Sequence, residues 1–539
     1  MRKDIDRRSF LGLSAFGALA AGASLAGCSP KSTKSEPQNA EQGNTQNEGI
    51  TRKEGSEKKE CDAVIVGAGA AGLMAALKLS EAGMKVIVVE KGPSAGMSNF
   101  ALCGGPAACE TVIQEQENAV VTLDQLFNYM YDFSRTGVNG KLLRNCLANT
   151  GDAVNSMVDL GIPLILKDDT YGVGFRARHM FGTGGIDRVS PIVSAIEANG
   201  GELNYNVGAE KILVENEKAT GIQTDAGIDI MAKHVIICSG GFLGSEEMQL
   251  DRLNTKVTPL GNVFSDGAGI RMVLDAGGAW DRNFSVLGNE CGAVPATLEG
   301  SPFTEDFHNI NEHYGYWLFG GLYTDTAGER FIDESKIAEF PLAIGGEALL
   351  RAGKAYVVMD SDYYEAVKNE GIYAYLGQPE NWSSGPMADY YKTTPEHAEE
   401  HLQQGIEEGW AHKANTIAEL AEKFSLSSLE ATVEAYNKFC DEGVDGDFGK
   451  PAAFLKPVKT APFYIFEYVP SAWGTNGGVK VDSHLRALNA QNKAIEGLYV
   501  AGVDQGSVYS MPYYTNEGAS VGLALGSGIY VAKEILANA

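Results

Sequence analysis

Asp62-Ala63-Val64-Ile65-Val66-Gly67-Ala68-Gly69-Ala70-Ala71-Gly72 is the stretch on which the fold turns. Its first half is short, apolar and β-branched, the pattern of a strand buried on both faces. Glycines at 67, 69 and 72 follow at once, and residues 73–82 then read as a helix that Gly83 stops. A second buried strand, Lys85-Val86-Ile87-Val88-Val89, ends at Glu90. Together these make a complete βαβ unit, the setting in which G-x-G-x-x-G has a physical meaning. Gly67 permits the tight turn, Gly69 lets backbone reach a diphosphate, and Gly72 lets helix and strand pack closely. The helix N-terminus offers free N–H groups and a positive dipole end to phosphates. Glu90 falls where a carboxylate accepts hydrogen bonds from ribose hydroxyls and disfavours a 2′-phosphate, so an ADP-like ligand is expected.

Such a unit serves NAD or FAD, and two flanking segments favour FAD. Gly96-Met97-Ser98-Asn99 leads into Cys103-Gly104-Gly105, a glycine-rich approach soon after Glu90. Gly497-Leu498-Tyr499-Val500-Ala501-Gly502 reads as a strand ending in small residues that can pass a ribityl chain. Between them, residues 200–227 read as short strands and 234–239 as a buried one. From about Trp280 to Leu455 the texture shifts to aromatics and acids, with helices at 415–424 and 428–440. Rossmann-type strands return at 478–481 and 497–501, and a helix over 519–536 closes the chain. The expected class is α/β. A discontinuous Rossmann-type FAD-binding domain (60–280 and 456–539) carries an inserted α+β capping domain (281–455).

The N-terminus reads as an address. Arg7-Arg8-Ser9-Phe10-Leu11 is a twin-arginine pattern, followed by an uncharged small-residue stretch ending in Leu25-Ala26-Gly27-Cys28. Residues 1–28 are therefore expected to be a signal for the twin-arginine route, which carries folded, cofactor-loaded proteins. A membrane anchor is the competing reading. The ending resembles a lipobox, which implies a lipid anchor at Cys28 and a place on the outer, periplasmic side of the cytoplasmic membrane. Residues 29–59 are polar and read as a disordered linker. The chain has 539 residues, 43 Lys and Arg against 70 Asp and Glu, and a net charge of −27. Such a surface argues against nucleic acid as a partner. None of the eight cysteines forms C-x-x-C, so no metal site is expected and free thiols are the default.

Further segments carry a family resemblance. They are Ser265-Asp266-Gly267-Ala268-Gly269, Gly328-Glu329-Arg330-Phe331-Ile332-Asp333-Glu334, Ala431-Thr432-Val433-Glu434-Ala435-Tyr436-Asn437 and Gly477-Gly478-Val479-Lys480-Val481-Asp482. With the two glycine-rich ends, they resemble the flavoprotein family of fumarate reductases, succinate dehydrogenases and 3-ketosteroid dehydrogenases. The resemblance implies that substrate is pinched between FAD domain and cap, over the flavin. It also implies FAD contacts from Ala71, Glu90, Ser98, Asn99, Gly104, Gly105, Ala209, Asp266, Ala501, Gly502, Ser520 and Val521, beside Gly67, Gly69 and Gly72.

The chain departs from the fumarate reductases where they grip a dicarboxylate. Ala338, Tyr314, Trp317, Thr515 and Gly474 stand where charged groups are expected. A dianion desolvated without cations costs several kcal/mol per charge, so fumarate is rejected as main substrate. Tyr514 through Ser520 instead resembles the segment of ketosteroid dehydrogenases that polarises a ketone. Tyr514 and the Gly518 N–H are then expected to form an oxyanion hole, with a packed core tyrosine as the alternative. Tyr509, Tyr513, His179, Arg178 and Glu339 are candidate proton donors, with Tyr513 favoured. Arg176, Arg178 and His179 are the candidate nearby cations, read either as binding one carboxylate or, equally, as solvated loop residues. His313, Tyr314, Tyr316, Trp317, Phe319, Tyr323, Tyr509, Tyr513 and Tyr514 suggest an aromatic lining for a flat enone or phenolic ligand, with ordinary core as the alternative.

The expected function is an exported FAD-dependent reductase of a carbonyl-activated C=C bond, in an enone or unsaturated acid. Hydride comes from flavin N5, and electrons come from an external cytochrome or quinol-linked partner. Two alternatives stay open: a 3-ketosteroid-type dehydrogenase, and a non-catalytic FAD-binding lipoprotein.

Overall fold

The computed structural model describes residues 57–169, 173–293, 321–336, 344–370, 395–514 and 516–538. Several expectations lie outside them: the signal with Cys28, the linker up to residue 56, Ala338, Glu339, Thr515, and the aromatic run from His313 to Phe319.

An eight-stranded sheet carries the first half of the architecture. Its parallel part runs in the order Ala494–Val500, Ile228–Ile237, Glu57–Val66, Val86–Glu90, Glu202–Tyr205. Strands buried on both faces read as apolar runs, as Val64-Ile65-Val66 and Val86–Val89 do. Ile228–Ile237 serves two neighbours along its length. Its early residues pair antiparallel with Lys218–Thr224, and its late residues pair parallel with Leu498–Val500. The meander thereby joins the parallel part of the sheet, whose far edge carries a second antiparallel strand, Arg486–Leu488, on Ala494–Val500. Helix Ala70–Glu81 covers the sheet and packs on the C-terminal helix Ala519–Ala537, which is mostly apolar because most of it is core.

The opening strand, Glu57–Val66, takes in residues 57–59, which the sequence reading gave to the linker. Glu57-Lys58-Lys59 pairs with Ile228–Ile230 through backbone, to which side-chain polarity is no guide. Residues 478–481 form no strand. Gly478 runs so close to Asp504 that an added Cβ would meet its carbonyl oxygen at 1.9 Å, and Val479 makes only isolated bridges to Trp280 and Gln505. The helices at Ile417–Phe424, Leu429–Glu442 and Ala519–Ala537 stand where the periodicity puts them.

A second, six-stranded sheet is built around the 14-residue strand Phe463–Asn476. Ser285–Ala293, Ala355–Met359, Ala411–Ala414 and Thr258–Pro259 all pair with it. This strand lies beyond residue 455, where the sequence reading closed the cap. Its far end, Trp473–Asn476, comes to the carboxyl ends of the first sheet's strands, the place where open α/β sheets bind ligands.

Behind the second sheet sits a buried ionic cluster. Arg330 pairs with Glu334 and Asp445 at 2.9 Å each, and Lys450 reaches Glu334 at 3.3 Å and the Tyr436 hydroxyl at 3.0 Å. Burial pushes the Glu334 carboxyl up, but Lys450 and Arg330 outweigh it and hold the group ionised. The Gly328–Glu334 motif thus ties its segment to the helix carrying Tyr436.

Candidate functional site

A cavity of about 930 Å3 opens at the carboxyl ends of the parallel strands. That is the upper end of the roughly 300–1,000 Å3 usual for small-molecule sites. Val66, Glu90, Cys238 and Gly502, each at or just past a strand end, lie on its wall.

The glycine turn is built as its spacing demands. Gly67 has φ +103°, and a Cβ there would meet the Cys238 carbonyl oxygen at 2.4 Å. Gly72 is off the cavity wall, where a Cβ would meet the Gly67 carbonyl oxygen at 2.0 Å. Its part is therefore close packing. Gly69 caps the helix with no side chain, and the space before its missing Cβ is open. An uncapped helix N-terminus facing a cavity is an anion site. Glu90 accepts the N–H of Ala68 at 2.8 Å and of Gly92 at 2.7 Å, which fixes its carboxylate on the wall with lone pairs to spare.

Ser98, Asn99, Gly104, Gly105, Ala209, Asp266, Gly502, Ser520 and Val521 all line the same cavity. Asn99 is spent on the protein: its amide donates to the Trp473 carbonyl at 2.8 Å and accepts the Asn262 N–H at 2.6 Å. It therefore buttresses the wall between the two sheets. Asp266 pairs with Lys91 at 2.5 Å. Ala501 is fully buried, donates its N–H to Ile237, and leaves the wall to Gly502. The donor set fits FAD: an open anion site, a fixed carboxylate, small residues, and a cavity long enough to run from Lys91 to Tyr513.

The expected catalytic group needs correction. Tyr514 is fully buried away from the cavity, and its hydroxyl donates to the Val508 carbonyl. It is a core tyrosine, not an oxyanion donor. Tyr513 and Gly518 do line the cavity. The Tyr513 hydroxyl accepts the Ser520 N–H at 2.6 Å, so its own proton is left to donate. Gly518, with φ +77°, packs where a Cβ would meet the Gly105 carbonyl oxygen at 2.5 Å.

The other proton-donor candidates separate. His179 is fully buried, with Nδ1 against the Ala177 carbonyl and Nε2 against the Thr111 hydroxyl, both at 2.9 Å. Burial pushes its pKa down to about 4, so the ring is neutral and structural. Arg176 pairs with Glu117 and Asp168, off the cavity wall. Tyr509 is buried and does not line the cavity; Arg178 does. Of the described aromatics expected as lining, Tyr323, Tyr509 and Tyr514 are core and Tyr513 is wall. Phe100, Phe181, Phe264 and Trp473 supply aromatic wall that the sequence reading missed. The strand end Trp473–Asn476 could have been found only by knowing which strand crosses between the sheets. Among the described residues, no three His, Cys, Asp or Glu side chains come together as a metal site.

Comparison with known proteins agrees with this geometry. The chain is 27% identical to the vinyl phenol reductase of Lactiplantibacillus plantarum over 487 residues, covering 87% of this chain and 94% of that one. Its fold matches a flavocytochrome c3 fumarate reductase in the open conformation at TM-score 0.63 and 23% identity, over 89% of this chain and 79% of that one. It matches the 3-ketosteroid Δ1-dehydrogenase of Sterolibacterium denitrificans at TM-score 0.69 and 18% identity, over 89% and 100%. The FAD binding domain family matches residues 62–523, and the chain belongs to that family, with FAD as its cofactor.

Proposed function

We propose that this chain is an exported reductase of carbonyl-activated C=C bonds, re-reduced by an external cytochrome or quinol-linked partner. The observation that carries the reading is Tyr513, a buried hydroxyl on the cavity wall whose oxygen is already bonded and whose proton is free. Bound FAD, in its reduced form, supplies the hydride. Tyr513 holds the proton that the second carbon of the double bond requires. Gly518 lies on the same wall, and its N–H is the proposed donor to developing negative charge.

Burial pushes the Tyr513 pKa above the ordinary tyrosine range, so at neutral pH the hydroxyl carries its proton, as a general acid must. The likeness to a vinyl phenol reductase supports reduction of a C=C bond next to an aromatic ring.

The test is anaerobic reduction followed by a screen of cinnamates, vinyl phenols, enones and steroids for flavin reoxidation. Tyr513→Phe should slow reoxidation about 100-fold, within the range for lost acid catalysis. Tyr514→Phe should stay within a few-fold of the parent. If no acceptor reoxidises the flavin, or Tyr513→Phe matches the parent, the reading fails.

The layout supports an FAD domain around the first sheet and a cap around the second. The twin-arginine head and Leu25-Ala26-Gly27-Cys28 support export and lipid anchoring. Protein expressed with its leader should then sediment with membranes, and Cys28→Ala should move it to the soluble fraction. Soluble parent protein would refute the anchor.

A further inference from the structure

The cations on the cavity wall are not equivalent. Lys91 is paired with Asp266. Arg188 is buried and spends its guanidinium on the carbonyls of Phe100, Cys103 and Thr183 while lying over the Phe181 ring. Arg178 differs from both. Its Nε is buried without a hydrogen-bond partner, and among the described residues no ion pair engages it. None of the described acidic residues forms an ion pair with this guanidinium; Glu517, on the same wall, pairs with Lys167 instead. Leaving a part-buried cation unpaired is costly, which marks a site completed from outside.

Its surroundings say which anion. The backbone of Arg178 is pinned on both sides, by a bridge to Ala107 and by the Lys167 N–H on its carbonyl at 2.9 Å. The guanidinium lies against Gly104, where an added Cβ would meet Nη2 at 2.4 Å. Tyr513 is near enough to feel its charge. Arg178 therefore belongs to the wall that holds the proton donor, whereas the diphosphate has its own anion site at the uncapped helix behind Gly69.

We infer that Arg178 grips the carboxylate of an aryl-conjugated unsaturated monoacid, of the cinnamate type, and that it is the specificity-determining residue of this reductase. The inference rests on the reading above and deepens it. A planar guanidinium pairs bidentately with one carboxylate. A second carboxylate finds no equivalent: Glu517 on the same wall is an anion paired with Lys167, and Gly474 offers no side chain. Phe100, Phe181 and Trp473 supply flat apolar wall for an aryl group. The chemistry balances on these groups. Hydride adds to the carbon β to the carboxylate, the electron pair of the double bond moves onto the carboxylate oxygens, and Arg178 stabilises that charge. The Tyr513 proton then closes the α carbon, giving the saturated acid.

The test compares FAD-loaded parent, Arg178→Gln and Arg178→Lys. Each is titrated with 3-phenylpropionate, its methyl ester and 4-ethylphenol, with perturbation of the flavin spectrum as readout. Arg178→Gln should weaken binding of the acid at least 30-fold, change the ester less than threefold, and keep its FAD content. Arg178→Lys should recover part of the loss. Equal weakening of acid and ester, loss of FAD, or weakening confined to the phenol would each overturn the inference. Acid binding that depends on Arg178 in protein whose reduced flavin no acceptor reoxidises would uphold the anion site and refute the reductase reading. An unchanged affinity for the acid in a working reductase would do the reverse.

Discussion

Gly69→Val should give a protein that folds as well as its parent but is purified colourless. At φ −83° and ψ −170° the backbone at Gly69 is extended, a conformation open to any residue. No heavy atom lies within 4 Å of its added Cβ, so the apoprotein meets no clash. The new side chain instead fills the open space before the uncapped helix, where the diphosphate must bring its oxygens within about 3 Å of backbone N–H groups. Losing even two such charge-assisted bonds is worth roughly 3 kcal/mol or more, on the order of 100-fold in affinity. Calorimetry of FAD binding, with the thermal midpoint of the apoprotein as control, makes the measurement. Gly72→Ala should behave differently, since its Cβ meets backbone at 2.0 Å and disturbs the fold itself. A Gly69→Val protein that stays fully yellow would remove the diphosphate from this turn.

Arg330→Met should cost about 3–5 kcal/mol of stability, the range for breaking one side of a buried ion pair. The side chains of Glu334, Asp445 and Lys450 are fully buried in this cluster. Removing Arg330 leaves two carboxylates facing one ammonium, with no water to dilute the excess charge. In a chain of this length a loss of that size should lower the thermal midpoint by about 3–5 °C. Adding Asp445→Asn restores neutrality and should recover part of the loss, which separates charge balance from lost packing. A single variant as stable as the parent would show the cluster to be electrostatically idle.

Much of this was legible one segment at a time. The β-branched run before Gly67, the helix after Gly72 and the carboxylate at Glu90 announce themselves because each rule acts over a few residues. The C-terminal wall was legible to within one residue, and that residue mattered. Tyr513 and Tyr514 are chemically identical in the sequence. The backbone turns one hydroxyl toward Ser520 and the cavity and the other toward the Val508 carbonyl. His179 reads as a proton donor by residue type, yet burial between Ala177 and Thr111 makes it neutral. Residues 478–481 read as a strand by composition, but in the fold they make only isolated bridges, to Trp280, Gln505 and Ala487.

The sequence by itself determined the cofactor, because a diphosphate is held by local backbone geometry at a turn and a helix end that neighbouring residues encode. The tertiary structure alone decided the chemistry around it. Which cation stays unpaired, which hydroxyl keeps a free proton and which strand end closes the wall depend on groups brought together from distant segments: Arg178 with Tyr513, and Asn99 with Trp473. Pairing and burial are properties of neighbours in space, and sequence order does not carry them.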